Sequence, residues 1–158
     1  MTTPASKKRR ITYRTDPFEH IVQDDGVVIV AQDGQGRIAL IRHTVPLHGS
    51  ILTIPGGGIE DGEDPLAAAQ RELEEEAGIT AAVWTSLGTT VPMTRSTMKL
   101  HMFAATNISA GVQALTATEA EQGLTVVWTP RKEAVQAALD GRMPLAGAAL
   151  ALLIADRF

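Results

Sequence analysis

Runs of aliphatic residues alternate along the chain with polar segments that contain glycine. Residues 27–31 and 37–41 are two such runs, and the four-residue segment 33–36 between them holds two glycines. Glycine tolerates the positive φ values of a tight turn, so this pattern predicts a β-hairpin. A third short strand is predicted at residues 51–54, and the proline and glycines of residues 55–58 predict a flexible loop after it.

A helix is predicted over residues 65–77 because both of its ends are marked. Asp64 is a favourable N-cap, Pro65 suits the first helical position, and Gly78 suits the position just past the end. Helical spacing predicts an apolar stripe formed by Leu66, Ala69, Leu73 and Ala77. The same spacing predicts a cluster of acidic residues on a different side of the helix, formed by Glu72, Glu75 and Glu76.

The rest of the chain continues with three strands and two helices. Strands are predicted at residues 82–87, 99–105 and 124–128, and helices at residues 131–139 and about 144–155. The last helix is apolar enough to be buried. Strands around one early helix, with helices at the end, predict an α+β fold or an α/β/α sandwich.

Length and charge favour a single soluble domain. A chain of 158 residues forms one core of ordinary size, so we expect one domain over residues 13–158, preceded by a flexible tail over residues 1–12. The basic run at residues 7–10 is interpreted as part of this tail. The formal net charge of −4 argues against a nucleic-acid surface, and it means that a phosphate-rich substrate needs local cations.

The cysteine count and hydropathy restrict the cellular context. The chain has no cysteine, which excludes disulfides, thiolate metal sites and cysteine nucleophiles. No apolar run approaches the length of a membrane span, and we expect neither a signal peptide nor membrane association. The expected compartment is the cytoplasm.

The segment over residues 57–79, GGIEDGEDPLAAAQRELEEEAGI, contains the candidate chemistry. Glu72, Glu75 and Glu76 are three or four residues apart on the predicted helix, so their carboxylates can converge. Hard cations such as Mg²⁺ and Mn²⁺ prefer such oxygen clusters and would relieve the repulsion. The alternative, a solvated acidic face, is disfavoured by the preceding glycines, which let the backbone approach the same point and bend around a phosphate.

This segment resembles the Nudix box at every fixed position, and the chain is similar to Nudix hydrolases over most of its length. The matching positions are Gly57, Glu63, Arg71, Glu72, Leu73, Glu75, Glu76, Gly78 and Ile79. The resemblance implies an α/β/α sandwich with a mixed β-sheet and a characteristic loop and helix. It also implies a hydrolase of nucleoside diphosphates linked to another moiety.

The resemblance assigns roles to particular residues. Glu72, Glu75 and Glu76 would be metal ligands, together with the carbonyl of Gly56, and Arg71 would orient the glutamates. Glu63 would either hold the loop against Arg71 or contact the metal. The general base would be a glutamate of the box or one in a later loop, for which the candidates are Glu119 and Glu121.

Features outside the box resemble the ADP-ribose pyrophosphatase branch. They lie at residues 40–43, 54–57, 92 and 127–130, with departures from that branch at Val45, Thr53 and the spacing of Pro92. ADP-ribose or a nucleotide sugar is therefore the expected substrate. The alternatives are a nucleoside triphosphate pyrophosphatase and a non-catalytic nucleotide sensor.

Several other residues are candidates for binding. Arg42, Gly57 and Gly58 are predicted to contact substrate phosphates, because a guanidinium fork matches phosphoryl oxygens, while Arg95 is left open between binding and a plain surface role.

The histidines His43, His48 and His101 lack zinc-site spacing and are interpreted as structural. The aromatic residues Tyr13, Phe18, Trp84 and Trp128 are interpreted as core or interface anchors. The resemblance to dimeric members of the family implies that Tyr13 and Phe18 belong to an N-terminal strand that crosses to a second subunit, so a homodimer is expected.

Overall fold

The structure is a computed structural model, and it describes residues 11–157. The basic run at residues 7–10 lies outside the described residues. Residues 11 and 12, which the sequence assigns to a tail, instead form the start of the first strand.

The helices and strands follow one another in a mixed order. The strands in the described residues are β1 (Ile11–Arg14), β2 (His20–Gln23), β3 (Gly26–Ala31), β4 (Arg37–Val45), β5 (Gly49–Thr53), β6 (Gly56–Gly58), β7 (Ile79–Thr90), β8 (Leu100–Ala110) and β9 (Thr125–Pro130). The helices are α1 (Pro65–Ala77), α2 (Ala117–Glu121), α3 (Arg131–Leu139) and α4 (Ala146–Ala155). None of the helices in residues 11–157 is both long and apolar enough to cross a membrane.

The strands form two larger sheets and a separate hairpin. A mixed four-stranded sheet has the order β6-β3-β8-β7, in which β3 and β8 are parallel. An antiparallel three-stranded sheet has the order β5-β4-β9, and β1 pairs with β2. The sheet of the predicted fold is therefore divided into a mixed and an antiparallel part.

The predicted hairpin between residues 27–31 and 37–41 is wrong. The turn is present, with Gly36 at a φ of 75°, but β3 and β4 belong to different sheets and share only an isolated bridge between Gln32 and Ile38. The physical reason is that each strand is interior to its own sheet. With β6 and β8 on the two sides of β3, no free edge remains for β4.

The core consists of two apolar layers on opposite faces of the strands. Val27, Ile29 and Ala31 pack with α1, whereas Val30 packs with the cluster of α3 and α4. This alternation is the period-two pattern of a strand that is buried on both faces. The predicted α/β/α sandwich is confirmed.

Candidate active site

The glycines of β6 form a strand rather than the predicted loop. Three consecutive glycines have a low strand propensity, yet Gly56, Gly57 and Gly58 pair with Val28, Val27 and Gly26 of β3. A Cβ atom on Gly56 would collide with the carbonyl oxygen of Val27, and one on Gly57 would collide with the carboxylate of Glu72. Glycine is therefore required here because a strand and a helix both approach it closely.

Helix α1 begins and ends where the sequence predicts. The Asp64 side chain accepts hydrogen bonds from the N–H groups of Leu66 at 2.9 Å and Ala67 at 3.3 Å. Gly78 ends the helix at a φ of 65°, and its N–H donates to the carbonyl of Glu74. These caps fix the helix relative to β6, and thereby the positions of its glutamates.

Two of the three glutamates in the acidic cluster of α1 are buried, which corrects the predicted separation of an apolar and an acidic face. Glu72 is 7% exposed and Glu76 is 8% exposed. Together with Ala69 and Leu73 they occupy positions i, i+3, i+4 and i+7, which is one helix face. The Gly56 N–H donates to Oε2 of Glu76 at 2.9 Å, so this face meets the glycine strand directly.

Arg71 holds the carboxylates in place. Its Nε and Nη2 donate to the two carboxylate oxygens of Glu63 at 2.9 and 3.0 Å, and Nη2 also donates to the carbonyl of Gly58 at 2.9 Å. Its Nη1 donates to Glu72 at 2.8 Å and to Glu75 at 3.2 Å. The hydrogen bonds to Glu63 are the main cause that raises the pKa of Arg71 above its ordinary value, so the guanidinium stays charged. This pairing supports the structural role for Glu63.

Gly58, Arg71, Glu72, Glu75 and Glu76 line a cavity of about 870 Å³, a size that suits a nucleotide-like ligand. Within the described part of the chain, its acidic lining residues are Asp24, Glu60, Asp61, Glu72, Glu75, Glu76 and Glu119, and Arg71 is its one guanidinium. A single fixed cation leaves this cavity strongly negative. An anionic substrate therefore requires additional positive charge.

The donor chemistry of this site fits a divalent cation. Carboxylate and backbone carbonyl oxygens are the ligands that Mg²⁺ and Mn²⁺ take, and two of the carboxylates are buried, where they need compensating charge. In residues 11–157 no group of three acidic or histidine side chains is already arranged to hold a metal ion. Glu72 and Glu75 instead form ion pairs with Arg71. Glu75 is 39% exposed, so its side chain has more freedom than the buried pair to rotate toward a shared cation.

The segment after β8 brings a further acidic residue to the cavity. The N–H of Ala114 donates to the carbonyl of Glu75 at 2.8 Å, and the Gln113 side chain donates to the carbonyl of Glu76. This segment is therefore attached to the C-terminal end of α1. It leads into the short helix α2, which the sequence analysis missed, and α2 carries both candidate bases.

Glu119 and Glu121 lie in different environments. Glu119 lines the cavity, and its side chain accepts from the Thr116 N–H at 2.7 Å in a capping box that begins α2. Glu121 is exposed and is not part of the cavity lining. The structure brings only one of the two candidates to the site.

On strand β4 the structure places a different residue at the cavity from the one predicted. Arg42 is exposed and lies outside the cavity lining, and its contact with substrate phosphates stays a prediction. Ile41 and His43 line the cavity instead, because alternate residues of a strand face opposite sides. Both ring nitrogens of His43 are buried without a hydrogen-bond partner among the described residues, so the hydrogen bonding usual for a structural histidine is not found there.

The other candidate residues lie away from the cavity. Arg95 is exposed and forms an ion pair with Glu19 at 3.6 Å. Trp84 packs edge-on against Phe103, and Trp128 stacks under the guanidinium of Arg37, so both serve as packing anchors. Ile11, Tyr13 and Phe18 are largely exposed on the β1–β2 hairpin.

Residues 22–148 match the NUDIX domain, and the chain therefore belongs to the Nudix family. This confirms the assignment made from the box.

Characterised relatives include hydrolases of nucleotide derivatives. The chain is 30% identical over 127 residues to an ADP-ribose pyrophosphatase of Mycobacterium tuberculosis, which covers 74% of this chain and 58% of the relative. It is 41% identical over 69 residues to the ADP-ribose pyrophosphatase of Bacillus subtilis, covering 42% and 37%. It is 32% identical over 139 residues to a CMP-5'-(N-acetyl-N-hydroxy-3-aminopropyl)phosphonate hydrolase of Streptomyces rubellomurinus, covering 85% and 65%. The matched region thus spans between about a third and two thirds of these relatives, and the resemblance to ADP-ribose pyrophosphatases is confirmed.

Solved structures show the same fold. An ADP compounds hydrolase superposes with a TM-score of 0.72 at 21% identity, covering 99% of this chain and 89% of that chain. A structure from a study of MutT from Aliivibrio salmonicida and Vibrio cholerae superposes with a TM-score of 0.62 at 21% identity, covering 85% and 98%. At these identities the likeness concerns the fold.

Proposed function

We propose that this chain is a divalent-metal-dependent hydrolase that cleaves the diphosphate linkage of a nucleoside diphosphate derivative, with ADP-ribose or a nucleotide sugar as the first candidate. The observation that carries the proposal is the meeting of the buried Glu72 and Glu76 with the glycine strand in a strongly negative cavity. Relatives named as ADP-ribose pyrophosphatases support the substrate class.

The residues of the site have separate proposed roles in hydrolysis. Glu72, Glu75, Glu76 and the carbonyl of Gly56 would hold Mg²⁺ or Mn²⁺, which when bound polarises phosphoryl oxygens and lowers the pKa of a water molecule. Arg71 keeps Glu72 and Glu75 oriented through its hydrogen bonds. Because Gly57 and Gly58 lack side chains, the backbone of β6 leaves space for the substrate phosphates.

Glu119 is the proposed acceptor of the proton from the attacking water. Glu119→Gln is expected to lower kcat by about 10²-fold, the usual contribution of a positioned general base. Glutamine also completes a capping box, so helix α2 is expected to remain folded. Glu121→Gln is the matched control, and its steady-state kcat should equal that of the wild type. If Glu119→Gln retains full kcat, the base is a glutamate of the box instead.

The substrate proposal is tested with a panel of purified compounds. ADP-ribose, nucleotide sugars, cytidine diphosphate derivatives, dinucleotides and nucleoside triphosphates are incubated with Mg²⁺ or Mn²⁺, and the products are separated by chromatography. Cleavage of ADP-ribose into AMP and ribose 5-phosphate supports the proposal. If the protein instead releases pyrophosphate from a nucleoside triphosphate in preference to cleaving ADP-ribose, it is a triphosphate pyrophosphatase. If it binds these compounds without turnover, it is a nucleotide sensor.

Two wider features of the protein stay proposals. A homodimer is supported by the large apolar side chains exposed on the β1–β2 hairpin, which would be buried by a second subunit. The cytoplasm is the proposed compartment because the chain has no cysteine.

A further inference from the structure

His43 is a polar side chain of the cavity that the proposed reaction does not use. Both of its ring nitrogens are buried, and neither has a hydrogen-bond partner in residues 11–157. A buried polar group without a partner destabilises the folded state, and native structures contain few of them. Such a group at the wall of a binding cavity therefore points to a partner that arrives with the ligand.

The surroundings of His43 differ from those of the glutamates. His43 belongs to the antiparallel sheet β5-β4-β9, whereas the glycine strand belongs to the mixed sheet. We call its part of the cavity the strand wall, which consists of Ile41 and His43 of β4 and Thr53 of β5. This wall has no carboxylate, lysine or arginine side chain, so it suits an uncharged part of a ligand better than a phosphate.

The strand wall is held in a fixed geometry by two neighbouring elements. Thr53 lies directly opposite Ile41 in the pairing of β4 with β5, so the Thr53 hydroxyl shares a face with His43. The N–H of Thr44 donates to the carbonyl of Gln122 at 2.8 Å, which fixes the end of α2 beside His43. The backbone on both sides of His43 is thus held by rigid neighbours.

We propose that His43 positions the substrate by hydrogen bonding to the nucleoside part, either a ribose hydroxyl or the edge of the base. The proposal rests on the proposed function, because the diphosphate is assigned to the glutamates and the glycine strand. A neutral imidazole has one donor and one acceptor, which match a hydroxyl or a base edge. His43 is a positioning residue, since the diphosphate bond that breaks is assigned to the glutamates and the glycine strand.

Substitution of His43 is expected to weaken substrate binding without lowering the stability of the fold. In His43→Leu the KM for the hydrolysed substrate should rise by about 10-fold, equal to one lost hydrogen bond of about 1.4 kcal/mol, while kcat stays close to that of the wild type. The Tm should be unchanged or higher, because the nitrogens have no partner to lose in the part of the chain that the structure describes. His43→Gln supplies a donor and an acceptor and should restore most of the KM.

His101→Leu is the control with a partnered histidine. His101 lies on β8 outside the cavity lining, 3.2 Å from the Thr89 hydroxyl and 3.6 Å from Asp25. Its replacement should lower the Tm and leave the KM unchanged, which is the opposite pattern. If His43→Leu instead lowers the Tm and leaves the KM unchanged, His43 is a structural residue and the proposal is overturned.

Direct binding is measured without turnover by nitrogen-15 NMR of the histidine rings. The His43 signal is assigned by its loss in His43→Gln, and the wild-type protein is titrated separately with AMP, CMP, ribose 5-phosphate and inorganic pyrophosphate. The His43 nitrogens should shift with at least one of the first three and not with pyrophosphate. No shift with any of them, or a shift with pyrophosphate alone, overturns the proposal. Because the titration needs no hydrolysis, it separates a failure of this assignment from a failure of the proposed function.

Discussion

Glu76→Gln lowers kcat by about 10²-fold or more, the loss expected when a preorganised electrostatic group is removed from an active site. The substitution keeps the shape of the side chain, and the amide oxygen can still accept from the Gly56 N–H that Glu76 binds at 2.9 Å. It removes one negative charge from a side chain that is only 8% exposed, so solvent cannot replace the lost interaction. The measurement is steady-state hydrolysis of the best compound of the panel, in saturating Mg²⁺.

Glu74→Gln is the matched control for this charge change. Glu74 is exposed on the same helix and does not line the cavity. Its variant should hydrolyse the substrate at the wild-type rate, while circular dichroism shows that both variants keep the fold. Equal rates for Glu76→Gln and the wild type would mean that the metal site lies elsewhere.

Gly57→Ala is expected to lower kcat by about 10²-fold through displacement of a neighbouring carboxylate, a loss typical of catalytic groups misplaced by about 1 Å. The new methyl group would occupy the position of the Glu72 carboxylate, so Glu72 must turn away and lose the hydrogen bond from Arg71. The displaced group is the end of a flexible side chain, and therefore the fold should survive. The measurements are kcat and the Tm of the same preparation.

Two other glycines give the reference points for this prediction. A Cβ atom on Gly56 meets the carbonyl oxygen of Val27, which is backbone, so Gly56→Ala should lower the Tm clearly. Gly34 has open space around its Cα atom, and Gly34→Ala should change neither the Tm nor kcat. A fully active Gly57→Ala variant would contradict the placement of Glu72 against β6.

The parts of the fold that were predicted correctly are those with local signals. Helix α1 has an N-cap, a proline at its first position and a terminal glycine, and these alone define its bounds. The missed α2 is too short for a periodic pattern, but the spacing of Thr116 and Glu119 is a capping-box signal that the sequence contains. The burial of Glu72 and Glu76 was also readable, because with Ala69 and Leu73 they share one helix face.

The errors concern information that comes from distant residues. Residues 38–41 of β4 are apolar on both faces, so no alternation in the sequence shows whether Arg42 or His43 faces the cavity. The hairpin prediction failed because a turn signal does not specify which strands become neighbours in a sheet. Strand β6 was missed because glycine has low strand propensity, and its pairing depends on contacts with β3 and α1.

The most direct test of the central claim is a crystal of the protein soaked in Mn²⁺, with data collected at the manganese absorption edge. An anomalous peak within coordination distance of Glu72, Glu76 and the Gly56 carbonyl is the predicted result, with Glu75 turned toward it. An empty cavity, with the carboxylates still bound only to Arg71 and the glycine strand, would contradict the assignment of a metal-dependent hydrolase.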